Sequence, residues 1–493
     1  MMIRDDTLNR RRFLKTSIYA PIAVGASPSK PAARFLLLDS RVVERTNNTS
    51  LVLGTVKKDP ARPLFREDKP WEPRFDNLYA NVMFDREEGI YKCWYSPFIV
   101  DPVTTNTPRE RRASVKYTSG DSWREMGICY AVSKDGISWE KPSLGLVEFQ
   151  GNRDNNLVLR ADPDSGEPHG AGISKDLNDP DPNRQYKMFF NRFNRKVPRT
   201  DPRYRYMCAG FSRDGLIWKD FQPCRETEAP GDTHSNWFWA PELSRYVGIT
   251  RLIEGQRLVA RTESQDFLHW TKAQVVLRAL PGERNRQTYA MPSFPYANVY
   301  LGLVMMINKN GRMDTVDCEL AWSPDTVHWE RICPGTPLIP RGPEGAYDSK
   351  CLYAAFQPIV LENEIRLYYG GNNGEHTDFR DGFFCLARLR PDGFAAMAPQ
   401  AGGAPGEVLT RPLTMTGRQI RISADAAGGL VTASIVDPSG RVLAETEPLR
   451  ADVTSGLLRW KKLRNLARFA GLSIQLRFHL EAARLYAFSF TEA

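Results

Sequence analysis

With 493 residues, 41% of them hydrophobic and 25% charged, the chain can bury a substantial core and lacks the charge excess and low complexity of a disordered protein. Its formal net charge is +9, but Lys and Arg are scattered rather than gathered in a stripe, which argues against a nucleic-acid partner. Long amphipathic helical periodicity is hard to find, and 36 Gly and 35 Pro cluster between short aromatic and β-branched runs, the pattern of many strands joined by turns.

The chain begins with a segment that does not belong to the fold. Arg10-Arg11-Arg12-Phe13-Leu14-Lys15 has the order R-R-x-F-L-K, and residues 16–26 form a short, moderately apolar run ending in small residues. This resembles a twin-arginine export signal and is too short to span a bilayer. It predicts a periplasmic or extracellular protein, with no membrane association after signal removal. Loss of residues 1–26 takes away five basic and two acidic side chains and leaves +6.

A repeat then dominates the sequence. Ser133-Lys-Asp135-Gly136-Ile-Ser-Trp139 returns as Ser212-Arg-Asp214-Gly215-Leu-Ile-Trp218, as Ser264-Gln-Asp266-Phe-Leu-His-Trp270 and as Ser323-Pro-Asp325-Thr-Val-His-Trp329, with a decayed copy at Arg390-Pro-Asp392-Gly393-Phe394. Each of the first four follows a β-rich run ("GICYAV", "RYMCAGF", "RLVART", "CELAW"), so the motif reads as the turn of a hairpin. Ahead of each hairpin stands another strand-like run: "GIYKCWYSPF", "QYKMFFNRF", "RYVGITRLI", "VYLGLVMMI" and "EIRLYYGG". One more strand precedes each of these, starting near Asp76, His169, Asp232, Arg286 and Asp348. Five units of three or four strands are predicted, an all-β five-bladed β-propeller over residues 35–398. The motif is architectural: its Trp packs between neighbouring blades, and its Asp lies too far from the central channel for catalysis.

Beyond "QAGGAPGEVLTRPL" the texture changes. The runs "QIRISADA", "GLVTASIVD", "SIQLRFHL" and "ARLYAFSF" alternate with turns and carry no repeat. They predict a small C-terminal β-sandwich over residues 406–493, for packing or for carbohydrate binding, with packing favoured because no exposed aromatic cluster stands out. The eight cysteines show no CxxC or metal-ligand spacing; Cys93, Cys129, Cys208 and Cys385 sit inside apolar runs and Cys351 at the start of another, as small buried hydrophobes do. A Cys224–Cys333 bridge, or a similar one, stays open.

Five β-blades bearing S-x-D-G-x-x-W hairpins, an export signal and a C-terminal sandwich together resemble the five-bladed propeller glycoside hydrolases, the group including glycoside hydrolase families 32, 43, 62, 68 and 130. The W-M-N-D-P-N-G block of family 32 is absent, as are R-D-P and E-C motifs. The resemblance therefore implies a fold and a reaction class rather than a fructosidase. It implies catalysis where the innermost strands converge, on a carbohydrate substrate and without a cofactor, and it leaves room for a structural or channel ion such as calcium.

The polar starts of those strands supply the candidates. Glycoside cleavage needs two carboxylates across the sugar, one protonated and one ionised, and Glu72, Asp76, Asp232, Glu344 and Asp348 are available. Neighbouring carboxylates raise one another's pKa, which would keep one of them protonated. Trp71, Trp237 and Tyr347 are candidates for stacking on sugar rings, and His169, His234 and Arg286 for holding hydroxyls. Two other readings remain: a noncatalytic carbohydrate-binding propeller, whose acids would be splayed apart, and a glycoside phosphorylase with a phosphate cradle built from Arg284, Arg286 and His234. The sugar, the linkage and the oligomeric state are not encoded in any motif.

Overall fold

The aromatic and β-branched runs form strands throughout. The computed structural model describes residues 34–58, 62–118, 123–162, 164–309, 314–437 and 439–492, and the export-signal segment lies outside these residues. Among them the only helices are Pro102–Asn106 and four short 3₁₀ turns, so the protein is all-β.

Antiparallel meanders follow one another along the chain. The first comprises Asn81–Asp85, Ile90–Tyr95, Ile128–Ser133 and Trp139–Glu140, and the second Glu167–Lys175, Tyr186–Phe193, Arg205–Ser212 and Trp218–Pro223. The third comprises Asn236–Ala240, Arg245–Ile253, Arg257–Ser264 and Gln274–Leu277. In the fourth, Arg286–Ala290 and Ser293–Tyr296 share the partner Val299–Lys309, followed by Asp314–Ser323 and Glu330–Ile332. The fifth has Cys351–Ala354, Ile365–Asn372 and Gly382–Leu389, and its outer strand comes from the other end of the chain: Lys57–Lys58 and Phe65–Arg66 pair with Gly382–Leu389.

The repeated motif makes one turn four times. In the first copy the Ser133 hydroxyl accepts from the Gly136 N–H at 2.8 Å, and Asp135 Oδ1 accepts from the N–H groups of Ile137 and Ser138 at 2.7 Å each. The residue after the Asp is left-handed in every copy, with φ of +73° at Gly136, +76° at Gly215, 66° at Phe267 and 70° at Thr326. Glycine adopts this conformation without strain, and the side-chain bonds of the turn hold Phe267 and Thr326 there in the two copies that lack it.

Each motif Trp then packs on the preceding meander. Trp270 stacks on Phe189 at 4.4 Å, Trp218 shares a buried cluster with Trp94 and Tyr130, and Trp329 shares one with Phe238 and Val247. Trp139, in the first meander, meets Phe384 of the fifth edge-on at 5.5 Å. The fourth and fifth are joined by the parallel pairing of Val316 with Cys351 and share a buried cluster that includes Leu303, Leu320, Leu352 and Leu367, so the contacts run in a closed cycle. Aromatic pairs of this kind contribute about 0.5–1.5 kcal/mol each beyond their area burial.

Two six-stranded sheets enclose a second core. One runs Thr49–Leu53, Ala395–Pro399, Arg484–Thr491, Gln419–Asp425 and Asp452–Leu457, with Arg34–Leu36 also on Arg484–Thr491. The other runs Val43–Asn47, Gly406–Thr410, Ser473–Glu481, Leu430–Val436 and Val442–Glu445, with Leu413–Thr414 added. Ile420, Ile422 and Phe488 of the first and Val431, Leu476 and Phe478 of the second belong to one buried cluster. Residues 35–53, read from sequence with the first domain, thus pair with strands at the far end of the chain, because a strand's alternation does not reveal a distant partner. All eight cysteines are free, Cys224 and Cys333 included.

Candidate active site

A cavity of about 1110 Å³ collects residues from all five meanders. Arg74, Asp76, Asn77 and Tyr79 come from the turn ahead of the first, and Lys116, Tyr117 and Arg124 from its long connection. The second contributes His169, Phe193, Arg195, Arg199 and Arg205, the third Asp232, Arg251 and Arg257, the fourth Tyr289 and the fifth His376. Asp76 (φ 52°) and Asp232 (φ 69°) both have left-handed backbones, as do Leu78 (φ 62°) and Tyr79 (φ 43°). Such conformations in non-glycine residues are uncommon and cluster at functional sites.

The backbone is held there by close approach between meanders. A β-carbon on Gly170 would lie 1.6 Å from the Thr233 carbonyl oxygen, and the Ser235 N–H donates to Gly170 O at 2.8 Å. This brings His169 alongside Asp232, with Nε2 3.7 Å from Oδ1. Arg205 and Arg251 each place Nη1 3.6 Å from Asp232 Oδ2. The Asp232 carboxylate therefore has charged neighbours but no direct hydrogen bond from a described side chain, and it faces the cavity with 38% of its side chain exposed.

Asp76 is gripped more tightly. Its Oδ1 accepts from Arg74 Nε at 3.0 Å and Arg380 Nη2 at 2.6 Å. Arg380, fully buried, also donates to Asn77 Oδ1 at 2.9 Å and to the Tyr353 hydroxyl at 2.9 Å. Tyr353 OH meets His376 Nδ1 at 2.7 Å. The Asn77 amide donates to the hydroxyls of Tyr79 at 2.7 Å and Tyr289 at 2.8 Å.

These charges decide protonation. Burial works to raise the pKa of both aspartates, but Arg380 and Arg74 hold Asp76 far below the usual carboxylate range, and His169, Arg251 and Arg205 hold Asp232 below it. The expected mutual elevation of the two carboxylates is thus overturned, because guanidinium groups are their nearest charged neighbours. Burial lowers His169 and His234 to about 4 and puts His376 well below its usual value, so all three are neutral at pH 7.

This predicts an acid sensitivity that begins above the carboxylate range. Between pH 6.5 and about 4 the unfolded chain takes up protons that folded His169 and His234 refuse, so stability should fall by up to about 1.4 kcal/mol per pH unit for each histidine. Asp76 and Asp232, with depressed folded values, lose their contribution only below the unfolded carboxylate value and do not contribute to this decline. Burial also raises Glu67 and Glu167 to about 7, and these gain stability in the same window, so the histidine contribution is read by difference. The urea-midpoint gap between wild type and His234→Gln should narrow from pH 7 to pH 5, and a constant gap would contradict the neutral burial of His234.

Of the residues singled out from sequence, Asp76, His169 and Asp232 line the cavity, and His234 packs on Tyr79 with ring centroids 5.3 Å apart. The others lie elsewhere with structural partners. Glu72 is buried against Lys141 Nζ at 2.7 Å and Tyr95 OH at 2.5 Å, and Glu344 is exposed beside Lys350. Trp71 donates to Asn156 Oδ1, Trp237 is buried against Phe267, Tyr347 packs on Phe383, and Arg286 pairs with Glu283 and Glu319. Asp348 accepts from Lys58 Nζ at 2.7 Å and Tyr369 OH at 2.8 Å, locking the N-terminal strand onto the fifth meander. Asp348→Asn is accordingly expected to cost about 1–3 kcal/mol in denaturant unfolding with turnover per folded molecule unchanged; the reverse pattern would return Asp348 to the site.

Arg74, Arg380, His376, Tyr79, Tyr289 and Arg251 were not anticipated. Arg74 adjoins Asp76 and could have been suspected. His376 and Arg380 lie in the polar connection Asn372–Gly382, which a reading of strand starts passes over.

No protein-family model and no curated protein matches the sequence. Among solved structures the chain is similar to several glycoside hydrolases and phosphorylases and to a deacetylase. An N-acetylgalactosamine deacetylase from F. plautii in complex with blood group B trisaccharide is 12% identical, covering 70% of this chain and 96% of that one, with a TM-score of 0.47. A β-1,2-mannobiose phosphorylase from Listeria innocua in complex with β-1,2-mannobiose is 12% identical over 68% and 96%, with a TM-score of 0.47. A glycosyl hydrolase from Bacteroides ovatus is 14% identical over 68% and 94%, with a TM-score of 0.45. Likenesses this weak do not bear on the chemistry of this chain.

Proposed function

We propose that the chain is an exported glycoside hydrolase: a five-bladed β-propeller of residues 57–394, closed by its N-terminal strand, carrying a β-sandwich built from residues 34–53 and 395–492. The cyclic order of the meanders supports the propeller, and the R-R-x-F-L-K segment supports export by a twin-arginine route to the periplasm or beyond. The observation that carries the activity is the convergence of two ionisable carboxylates, Asp76 and Asp232, each on a left-handed backbone, at one cavity joining all five meanders.

Their surroundings suggest different roles. Asp76, held ionised by Arg74 and Arg380, keeps Oδ2 free of described donors and serves as base or nucleophile at the anomeric carbon. Asp232 is the proton donor to the departing glycosidic oxygen. A sugar filling the cavity expels water and takes up guanidinium donors, and both changes raise the proton affinity of Asp232. If water attacks, its proton goes to Asp76; if Asp76 attacks, a glycosyl ester forms and water later cleaves it with Asp232 as base. The hydroxyls of Tyr79 and Tyr289, held by the Asn77 amide, face the cavity to orient the ring.

A phosphorylase reading is favoured by the many guanidinium groups around the cavity. Digestion of a glycan panel by the full-length protein, followed by assay of new reducing ends with and without inorganic phosphate, tests the proposal. Phosphate-independent release that is lost in Asp232→Asn is expected. Release only with phosphate would transfer the activity to phosphorolysis, and binding of glycans without cleavage of any would leave a binding module.

A further inference from the structure

The cavity wall has a composition that hydrolysis of a neutral sugar does not require. Eight Lys and Arg side chains line it against three Asp, and one of those, Asp201, is turned to Arg203. Asp76 and Asp232 offset their own arginines, and Arg195 is engaged by Glu167. Four cations remain, Lys116, Arg124, Arg199 and Arg257, none of them in a salt bridge with a described residue. Arg124 is tied only to the Tyr117 hydroxyl and Arg257 to Gln287 Oε1.

The arginines are also preset. Arg124 lies over Phe98 at 4.4 Å, Arg205 over Phe193 at 4.4 Å, Arg251 over Tyr289 at 4.4 Å and Arg74 over Tyr117 at 4.1 Å. Stacking fixes the planar guanidinium and leaves its edge donors for a ligand. It also occupies aromatic faces on which a pyranose would otherwise stack. The stacking tryptophans expected from sequence, Trp71 and Trp237, are absent from this wall. A sugar hydroxyl both donates and accepts, whereas a carboxylate or sulfate only accepts. A donor-rich, acceptor-poor wall matches the second, and charge-assisted bidentate bonds to guanidinium are the strong ones.

We infer that the substrate is an anionic oligosaccharide, one whose sugars carry carboxylate or sulfate groups held by Arg124, Arg257, Arg199 and Lys116. A second recess shares Arg124, Arg195 and Phe193 with the cavity, but Glu125 and Glu167 pair there with Arg160 and Arg195, so the unpaired cations are confined to the first cavity. The inference rests on the glycoside-cleaving reading for what happens after binding, but not for binding itself.

Matched ligands test it. Galacturonate oligomers and their carboxyl-reduced counterparts, and sulfated oligosaccharides and their desulfated counterparts, are titrated into the full-length Asp232→Asn protein by calorimetry and offered to wild type for cleavage. The charged member of at least one pair should bind at least ~10-fold more tightly than its neutral partner, as expected for a hydrogen bond to a charged group, and which pair responds identifies the anion. Arg199→Ser, at an exposed position, and Arg124→Gln should each weaken binding of the charged member by a similar factor and leave the neutral member unaffected. Equal binding of charged and neutral members, no binding of any charged member, or cleavage of neutral glycans that requires inorganic phosphate would overturn the inference; in the last case the cations belong to phosphate. Tight binding of a charged member that wild type does not cleave would sustain the inference and overturn the hydrolase reading instead.

Discussion

Asp232→Asn should lower turnover of an unactivated glycoside by at least ~10²-fold while leaving the unfolding midpoint close to wild type, since proton donation to the leaving group is worth that much. The fold should tolerate the change because the Asp232 carboxylate makes no short bond to a described side chain. Of the arginines beside it, Arg205 is stacked on Phe193 and partly solvated. Arg251 is anchored by the Asp232 and Tyr289 carbonyl oxygens. Leaving-group chemistry separates proton donation from a merely structural loss. A glycoside of an acidic phenol departs without protonation, so the deficit of Asp232→Asn should shrink on such a substrate. Wild-type turnover on an unactivated glycoside would remove Asp232 from the role. An equal deficit on both substrates would mean that the residue positions the sugar instead.

The proposed pair, Asp76 and Asp232, was legible in part because both aspartates stand where predicted innermost strands begin, and the repeated hairpins give those positions away. Gly170 and Gly231 near His169 and Asp232 also mark tight backbone, with φ of +59° and +64°. The protonation states were not legible. Arg380 is separated from Asp76 by 304 residues, and no local pattern connects a polar connection in the fifth meander with a turn ahead of the first. The same limit hid the role of Asp348. A strand-start acid looks equally catalytic in sequence whether it faces the axis or, as here, Lys58 from a strand that arrives from the N-terminus. Tryptophans misled for a related reason: Trp71 and Trp237 lie near polar strand starts, but one is spent on Asn156 and the other on the core between meanders.

Removing the Arg380 guanidinium should be the most destabilising change at the site. Arg380 is fully buried, bonds Asp76, Asn77 and Tyr353, and supplies the strongest of the electrostatic pulls that hold Asp76 ionised against burial. Arg380→Gln would leave Asp76 to Arg74 alone. Breaking one side of a buried ion pair costs about 3–5 kcal/mol, because the remaining charge stays desolvated without its partner. The sign of the pH effect follows from the depressed pKa of Asp76, whose stabilising contribution is present above the unfolded carboxylate value and lost as pH falls through the folded one. The destabilisation should therefore be fully expressed at pH 7, where urea unfolding can read it. Double replacement, Arg380→Gln with Asp76→Asn, should cost less than the two single changes added together, since the amide no longer needs a counter-charge. In Arg380→Gln protein that remains folded, the acid limb of kcat/KM should move toward higher pH as Asp76 returns toward an ordinary carboxylate. Additive energies in the cycle together with an unmoved acid limb would mean that Arg74 alone sets the charge of Asp76, and the assignment of Arg380 as its positioning partner would fall.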